Sequence, residues 1–365
     1  MKNTFGNAIS ITLFGESHGD MIGAVLDGLA PGLEINEQYI NEKLALRRPF
    51  GKISTSRAEA DPFKIISGVF NGKTTGSPLA IIIPNNNAKS GDYADLKDIP
   101  RPSHADFTAN VKYHGYQDYR GGGHFSGRIT AAVVCACAIL QYALENKGIY
   151  LGSHICYMQG IEDKNIECVE DIKTLANLQF PMLNEKAKEQ ALEIIESVAK
   201  DGDSVGGVLE TVVLGMPAGV GEPWFDSLES MLSHAIFSIP GIKGIEFGLG
   251  FGFADVNGQL ANDNFAINDQ KIVTKTNNNG GINGGISNGM PIVFRSVVKP
   301  TPSIYKEQQS IKLSTMEEQP LIISGRHDPA IIHRARVVVD SLTAFTLADM
   351  LTVRYGTDYL AKDGE

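Results

Sequence analysis

Residues 118–146 read DYRGGGHFSGRITAAVVCACAILQYALEN. Three glycines at 121–123 lead directly into a predicted helix over 128–146. Glycines ahead of a helix N-terminus let backbone N–H groups converge on an anion, and the helix dipole favours negative charge there. Because the segment lacks the Gly-Lys-Ser/Thr ending of a Walker loop, it predicts an anion site of another class.

Strands and helices are predicted on both sides of this segment. Short stretches dense in apolar and β-branched residues predict strands at 9–14, 64–70, 79–84, 205–214 and 291–298. Further helices are predicted at 36–48, 185–200, 224–239 and 329–355, the last with Asp328 as its expected N-cap. Because strands and helices do not alternate strictly, we predict a mixed α/β fold of two sheets with helices packed between or around them.

Composition and charge narrow the class of protein. The chain has 365 residues, 42% of them hydrophobic, and a formal net charge of −10. Such a chain lacks the broad positive field that binders of nucleic acids and acidic membranes need, so any anion site is a local basic pocket. No apolar run reaches the roughly 18 residues that span a bilayer, and we expect a cytoplasmic protein. The four cysteines fit neither a disulfide framework nor a zinc pattern, and no metal is predicted.

Residues 15–19 (GESHG) match G-x-S-x-G, the nucleophile elbow of serine hydrolases, with Ser17 as the nucleophile. Only sixteen residues precede Ser17, too few to supply an upstream oxyanion loop, and no helical pattern follows it. His18 is then the informative residue, since an imidazole between small neighbours can reach a substrate and titrates near neutral pH. A histidine that caps a turn is the structural alternative.

Cationic loops recur in this acidic chain. Arg47 and Arg48 end a predicted helix. Arg101 and His104 lie three residues apart in a proline-restrained loop, a geometry suited to gripping phosphate or carboxylate. A solvated surface is the alternative for each loop alone.

Three further segments complete the candidate site. Residues 325–329 (GRHDP) bring an arginine and a carboxylate to a helix start, and residues 299–303 (KPTPS) offer a cation and hydroxyls to a cofactor phosphate. The Asn/Gly tract at 277–285 is interpreted as an ordered loop that approaches a ligand closely. Together these loops predict that several anionic groups are bound side by side.

These segments resemble, in order, the signatures of the chorismate synthase family, and the resemblance covers nearly the whole chain. The segments that carry it are residues 12–28, 118–123, 201–207, 219–223 and 325–329. The resemblance implies one domain over residues 1–365, built as a β-α-β sandwich of two antiparallel sheets around helices. It also implies a homotetramer.

For function, the resemblance implies a carbon–oxygen lyase acting on phosphates. The reaction is an anti-1,4-elimination that removes phosphate from C3 and a proton from C6 of 5-enolpyruvylshikimate-3-phosphate. The product is chorismate, at the end of the shikimate pathway that feeds aromatic amino acid biosynthesis. The reaction is redox neutral but needs reduced FMN. Since the chain lacks any segment added to the family core, we expect a separate flavin reductase, with NADPH acting only indirectly.

The resemblance also implies roles for residues. His18 would protonate the departing phosphate, His104 would act on the reduced flavin, and Asp328 would carry the C6 proton near flavin N5. Substrate anions would meet Arg47, Arg48, Arg101, Ser126, Arg128 and Arg326. Arg47 is also the family position linked to NADPH. FMN would contact His124, Phe125, Ser126, Gly284, Lys299, Pro300, Thr301, Pro302, Ser303 and Arg326.

The sequence leaves two alternatives open: a serine hydrolase that uses Ser17, and a flavin-binding module without catalysis. The chain also departs from the commoner family wording at flavin positions. It has His124 and Phe125 where Arg-Ser is usual, and Pro302 where serine is usual.

Overall fold

Two antiparallel sheets enclose a layer of helices in the computed structural model, which describes residues 2–49, 51–54, 61–86, 97–323 and 327–361. The helices of this part of the chain are α1 (Glu37–Leu46), α2 (Asp106–Tyr113), α3 (Thr130–Asn146), α4 (Val169–Ala176), α5 (Glu185–Lys200), α6 (Leu228–Phe237), α7 (Gly258–Ala261) and α8 (Ile332–Tyr355). Its strands are β1 (Thr4–Phe5), β2 (Ser10–Gly15), β3 (Met21–Asp27), β4 (Lys64–Ser67), β5 (Val69–Phe70), β6 (Lys73–Thr74), β7 (Leu79–Pro84), β8 (Tyr150–Met158), β9 (Ile161–Glu162), β10 (Gly207–Leu214), β11 (Ile242–Phe247), β12 (Phe265–Asn268), β13 (Lys271–Thr274), β14 (Ile282–Asn283), β15 (Ile286–Ser287), β16 (Ile292–Val298), β17 (Gln308–Lys312) and β18 (Glu317–Leu321).

The first sheet has the strand order β1-β2-β3-β7-β4, with each neighbouring pair antiparallel. Successive side chains of a strand point to opposite faces. In β7 this places Leu79, Ile81 and Ile83 on one face, and all three are fully buried. That face packs against α3, which contacts both β3 and β7.

The second sheet has the order β11-β16-β10-β8-β9 and is also antiparallel. Helix α8 packs on β8 and β10, and it also packs against α3, which lies on the first sheet. The layers therefore run sheet, helices, sheet, and the predicted sandwich of two antiparallel sheets around helices is confirmed. Within the described chain, Gly127–Asn146 is the one helical segment long and apolar enough to cross a bilayer, but most of it is buried in this core.

Several element boundaries differ from the sequence prediction. The strand predicted at 64–70 breaks at Gly68, where φ is +83° and an added Cβ would lie 2.5 Å from Leu79 Cα. The helix predicted at 224–239 begins at Leu228, because the Ser227 side chain caps it by accepting from the Ser230 N–H. Strands β3, β8 and β11 and helices α2 and α4 were missed by the sequence prediction.

One carboxylate of α8 anchors the chain that enters β2. Asp349 is buried and accepts backbone N–H groups from Asn7, Ala8 and Ile9 at 2.9, 2.7 and 2.8 Å. An N–H group left without an acceptor in a protein interior costs the full price of its desolvation. Asp349 therefore fixes the start of the strand that leads to the residue 15–19 turn.

We expect Asp349→Ala to lower the free energy of unfolding by about 3 kcal/mol or more, since three N–H groups lose their acceptor. Asp349→Asn keeps one acceptor oxygen and serves as the matched control, with a smaller loss. Urea unfolding followed by circular dichroism measures both. Equal losses for the two variants would contradict this role.

Candidate active site

His18 lies in the turn between β2 and β3. β2 ends at Gly15, where φ is +96°, and the chain returns as a strand at Met21. A nucleophile elbow needs a strand, a sharp turn and then a helix. Here a second strand follows, and Ser17 is 3% exposed with its N–H donating to the Gly123 carbonyl oxygen at 3.1 Å. This geometry does not support Ser17 as an elbow nucleophile.

The three-glycine loop lies close to two histidine side chains. Gly121, Gly122 and Gly123 have φ values of +59°, +82° and +52°. A Cβ on Gly121 would lie 2.2 Å from Cε1 and 2.3 Å from Nδ1 of His18. A Cβ on Gly122 would lie 3.4 Å from Cε1 and 3.7 Å from Nε2 of His104. The structure thus brings two histidines that are 86 positions apart in the sequence to the same stretch of backbone.

The glycines do not lie at the N-terminus of α3, so that part of the sequence prediction is wrong. They lie within the 3₁₀ segment Arg120–Phe125, and a second 3₁₀ turn, Gly127–Ile129, comes before the first residue of α3, Thr130. The Ser126 side chain caps the second turn by accepting from the Arg128 N–H at 3.3 Å. The glycines serve the close approach of backbone to imidazole instead.

The loop of His104 contains a compact cluster of ionic hydrogen bonds. Arg101 donates from Nε to Asp106 Oδ2 and from Nη2 to Asp106 Oδ1, both at 2.8 Å. His104 Nδ1 lies 2.7 Å from the same Oδ1. Burial alone would raise the pKa of Asp106, but its hydrogen bonds with Arg101 and His104 outweigh burial and hold that pKa well below its usual range.

The second half of the chain holds this loop in place. The Lys299 ammonium donates to the carbonyl oxygen of Ser103, which has a φ of +57°, at 2.7 Å. The Ser310 hydroxyl donates to the Pro100 carbonyl oxygen at 2.5 Å. Partial burial lowers the pKa of Lys299. Lys299, predicted to meet the cofactor, is therefore also a link between its own segment and the loop of His104.

Arg47 and Arg128 share one buried carboxylate. Arg47 Nη1 lies 3.3 Å from Asp61 Oδ2, and Arg128 Nη1 donates to Asp61 Oδ1. Arg47 also donates from Nε to Thr130 Oγ1 at 2.9 Å, and Arg128 donates from Nε to Asn85 Oδ1 at 3.0 Å. Both arginines are less than a tenth exposed. The two guanidinium groups are thus fixed side by side at the start of α3.

Asp328 is bound by an arginine of α8. Arg334 donates from Nη1 to Asp328 Oδ2 at 2.5 Å and from Nε to the Arg47 carbonyl oxygen at 2.7 Å. Asp328 is not the N-cap of α8, because the helix begins at Ile332. The pairing joins Asp328 to the arginines at the end of α1, where Arg48 is half-buried. Arg326 lies outside the described residues.

The residues predicted to contact FMN fall into three groups. In the first, His124 donates from Nδ1 to the Gly15 carbonyl oxygen at 2.8 Å, and Phe125 meets Tyr113 edge to face with ring centres 5.9 Å apart. Both therefore lie at the glycine loop. Ser126 is the capping residue described above.

The second group is the segment of Lys299, Pro300, Thr301, Pro302 and Ser303. Its backbone is held by the Ser204 hydroxyl, which donates to the Thr301 carbonyl oxygen at 2.7 Å, and by the Gln308 side chain, which donates to that of Pro302 at 3.3 Å. The Thr301 hydroxyl is buried and has no hydrogen-bond partner in the described part of the chain. A buried hydroxyl without a partner, next to a lysine, fits an acceptor-rich anion such as the phosphate of FMN.

Gly284, the third group, lies elsewhere. It forms the turn between β14 and β15, with a φ of +62° and open space where a Cβ would be. Its neighbour Gly285 packs on Glu222 and on Ser227 at the start of α6. The residues around Gly284 are therefore different from those around His18 and His104.

The sequence prediction missed the carboxylates that hold the site: Asp61 and Asp106. A signal for Asp106 was present, because it follows His104 by two residues in a proline-bounded loop. Asp61 lies 67 positions from Arg128, and nothing in the sequence connects them.

Comparisons with known proteins agree on one family. A family model described as chorismate synthase matches residues 9–352. The chorismate synthase of Thermococcus kodakarensis is 44% identical over 349 residues, which cover 96% of this chain and 97% of its relative. That of Pyrococcus abyssi is 45% identical over the same length and coverage. That of Methanosarcina mazei is 42% identical over 348 residues, 95% of each chain.

A solved structure supports the same relationship. The structure described as the crystal structure of chorismate synthase superposes with a TM-score of 0.76 at 28% sequence identity. The match covers 98% of this chain and 95% of the other.

We expect Gly121→Ala to displace the His18 ring, because the added carbon would lie 2.2 Å from it. The left-handed backbone alone costs about 1–2 kcal/mol for alanine, and moving the ring adds to this. Gly32→Ala is the matched control, since Gly32 has a φ of +92° but open space around its Cβ position. Histidine NMR spectra and thermal unfolding test this. An unchanged His18 signal in Gly121→Ala would contradict it.

Proposed function

The chain belongs to the chorismate synthase family, and from that premise we propose that it is a carbon–oxygen lyase that converts 5-enolpyruvylshikimate-3-phosphate to chorismate. One observation carries the proposal at the level of residues. Two imidazoles, those of His18 and His104, lie against neighbouring residues of the same glycine loop, Gly121 and Gly122. Such an arrangement suits a reaction in which separate groups hold separate protons.

Arginines bind the substrate in this proposal. The substrate carries a phosphate and two carboxylates, and Arg47, Arg48, Arg101, Arg128 and Arg326 supply the opposite charge. This role is supported by the positions of Arg47 and Arg128, which are buried and fixed beside Asp61. Guanidinium groups held in place before the reaction stabilise moving negative charge without reorganising.

His18 acts as the general acid. His18 is 7% exposed, and its ring packs against Gly121. The ring is therefore held in one position and is largely shielded from water. It donates a proton to the phosphate oxygen that leaves C3. Asp328, oriented by Arg334, takes the proton lost from C6.

Reduced FMN, when bound, supplies the electron density that weakens the unactivated C–O bond. His124, Phe125, Ser126, Gly284, Lys299, Pro300, Thr301, Pro302, Ser303 and Arg326 would hold it. The ammonium of Lys299 and the buried hydroxyl of Thr301 are the donors that favour a phosphate in this segment. His104 would act on the reduced flavin and help to hold its charge state.

The proposed assembly is a cytoplasmic homotetramer. Large apolar side chains are exposed at several places in the described chain, among them Trp224 and Phe225 before α6, and Phe265, Ile267 and Ile272 on the β12–β13 hairpin. Contiguous exposed apolar surface on this scale is typical of interfaces. It supports contacts between copies of the chain.

A separate reductase supplies the reduced flavin in this proposal. The guanidinium of Arg47 is buried and bonded to Thr130, Asp61 and the Gly127 carbonyl oxygen. The Arg47 guanidinium therefore stabilises the interior of the site and does not form part of an open surface to which a dinucleotide could bind. NADPH is therefore an indirect source of electrons.

The proposed function is tested by anaerobic incubation with 5-enolpyruvylshikimate-3-phosphate and dithionite-reduced FMN, following release of phosphate and chorismate. We expect His18→Ala to lower kcat by roughly 100-fold or more, as for a lost general acid. Ser17→Ala should retain measurable activity. His114→Asn, at the exposed left-handed end of α2, is the control histidine and should match the wild type. Absence of chorismate with wild-type protein would overturn the proposal.

The proposal of a separate reductase leads to a prediction of its own. Pure protein given oxidised FMN, NADPH and substrate should show no steady turnover, and adding a flavin reductase should restore it. Steady turnover without the reductase would contradict this part of the proposal.

A further inference from the structure

Asp106 begins α2 but does not cap it. An aspartate in the first turn of a helix ordinarily stabilises the helix N-terminus. Here the carboxylate accepts instead from the backbone N–H of Arg101, from the Arg101 guanidinium and from His104. The N-cap position is taken by Ala105, which offers no side-chain acceptor. The carboxylate is turned toward the histidine, away from the helix that carries it.

The short contact between His104 Nδ1 and Asp106 Oδ1 fixes which nitrogen carries the hydrogen. An ionised carboxylate only accepts, so an unprotonated Nδ1 at 2.7 Å would bring two lone pairs together. Nδ1 therefore donates. The 3.0 Å approach of Arg101 Nη2 to Nδ1 follows because the two donors share Oδ1.

The other edge of the ring then faces the glycine loop. With Nδ1 turned to Asp106, Cε1 and Nε2 lie 3.4 and 3.7 Å from the Cβ position of Gly122. Neutral His104 thus presents an unprotonated Nε2 at the loop that also contacts His18.

We propose that Asp106 is the positioning residue of His104, holding the hydrogen on Nδ1 and aiming Nε2 at the glycine loop, and that Arg101 holds Asp106 in that orientation. The kinetic consequence of this inference rests on the proposed function, whereas the tautomer and the orientation of the His104 ring do not depend on it. Arg101 uses its Nε–Nη2 edge for Asp106.

Asp106→Asn provides the main test because it keeps the size of the side chain. Oδ2 receives two donors that cannot become acceptors, the Arg101 N–H and Nε–H, whereas Oδ1 receives Arg101 Nη2 and the His104 ring, which can change tautomer. The amide oxygen therefore takes the Oδ2 position, and Arg101 Nη2 can turn to Nδ1, 3.0 Å away. The amide NH₂ then faces His104 and donates to Nδ1, which moves the hydrogen of the neutral ring to Nε2. A comparable change in a catalytic aspartate–histidine pair of a protease lowers kcat by about 10⁴-fold.

The measurement is a long-range ¹H–¹⁵N NMR spectrum of histidine-labelled full-length protein without flavin or substrate. We expect an Nδ1–H ring for His104 in the wild type and in Asp106→Glu, and an Nε2–H ring in Asp106→Asn. Asp98→Asn is the matched control, because Asp98 anchors the same loop to Ser314 without contacting the ring. It should keep the wild-type tautomer.

Kinetics provide the second readout. Asp106→Asn should lower kcat by about 100-fold or more with little change in KM, and Asp106→Glu should recover part of the loss. A wild-type ring with hydrogen on Nε2, or the same tautomer in wild type and Asp106→Asn, would overturn the inference even if one variant folds poorly. Failure of wild-type protein to make chorismate would overturn the proposed function alone, since the tautomer is measured without substrate.

Discussion

The candidate site depends on how closely the backbone of Gly121 and Gly122 approaches two imidazoles. His18 could not lie where it does if residue 121 carried a side chain, because a single carbon there would overlap its ring, whereas a carbon at 122 would only reach ordinary contact with His104 at 3.4 Å. The left-handed backbone of all three glycines is the conformation that brings the loop there.

Ion pairs between arginine and aspartate fix the other charged side chains of the candidate site. Arg47 and Arg128 share Asp61, Arg101 is bound to Asp106, and Arg334 is bound to Asp328. These pairs explain how a chain with a net charge of −10 keeps a local basic site. Partnered arginines are fixed before a substrate arrives, which lowers the entropy lost on binding. Asp106 also sets the orientation of His104, one of the groups proposed to act in the reaction.

Much of the fold could be predicted from local sequence. Helices α3 and α5 and strands β2, β7 and β16 have patterns strong enough to place them within a few residues. Strand β8 was missed because its buried positions include Ser153 and His154, which interrupt the apolar pattern. The start of α8 was placed three residues early, since Asp328 resembles an N-cap but is held by Arg334 instead.

The residues proposed for the site could be picked out from the sequence, but the contacts between them could not. Histidines, arginines and glycines stand out in their motifs, yet the meeting of His18 with Gly121 and of Arg128 with Asp61 depends on how distant segments pack. A crystal structure of the protein with 5-enolpyruvylshikimate-3-phosphate and FMN tests the central claim most directly. It should show the substrate phosphate within hydrogen-bond distance of His18 and the flavin beside His104 at the glycine loop. Substrate bound away from both histidines would contradict this account.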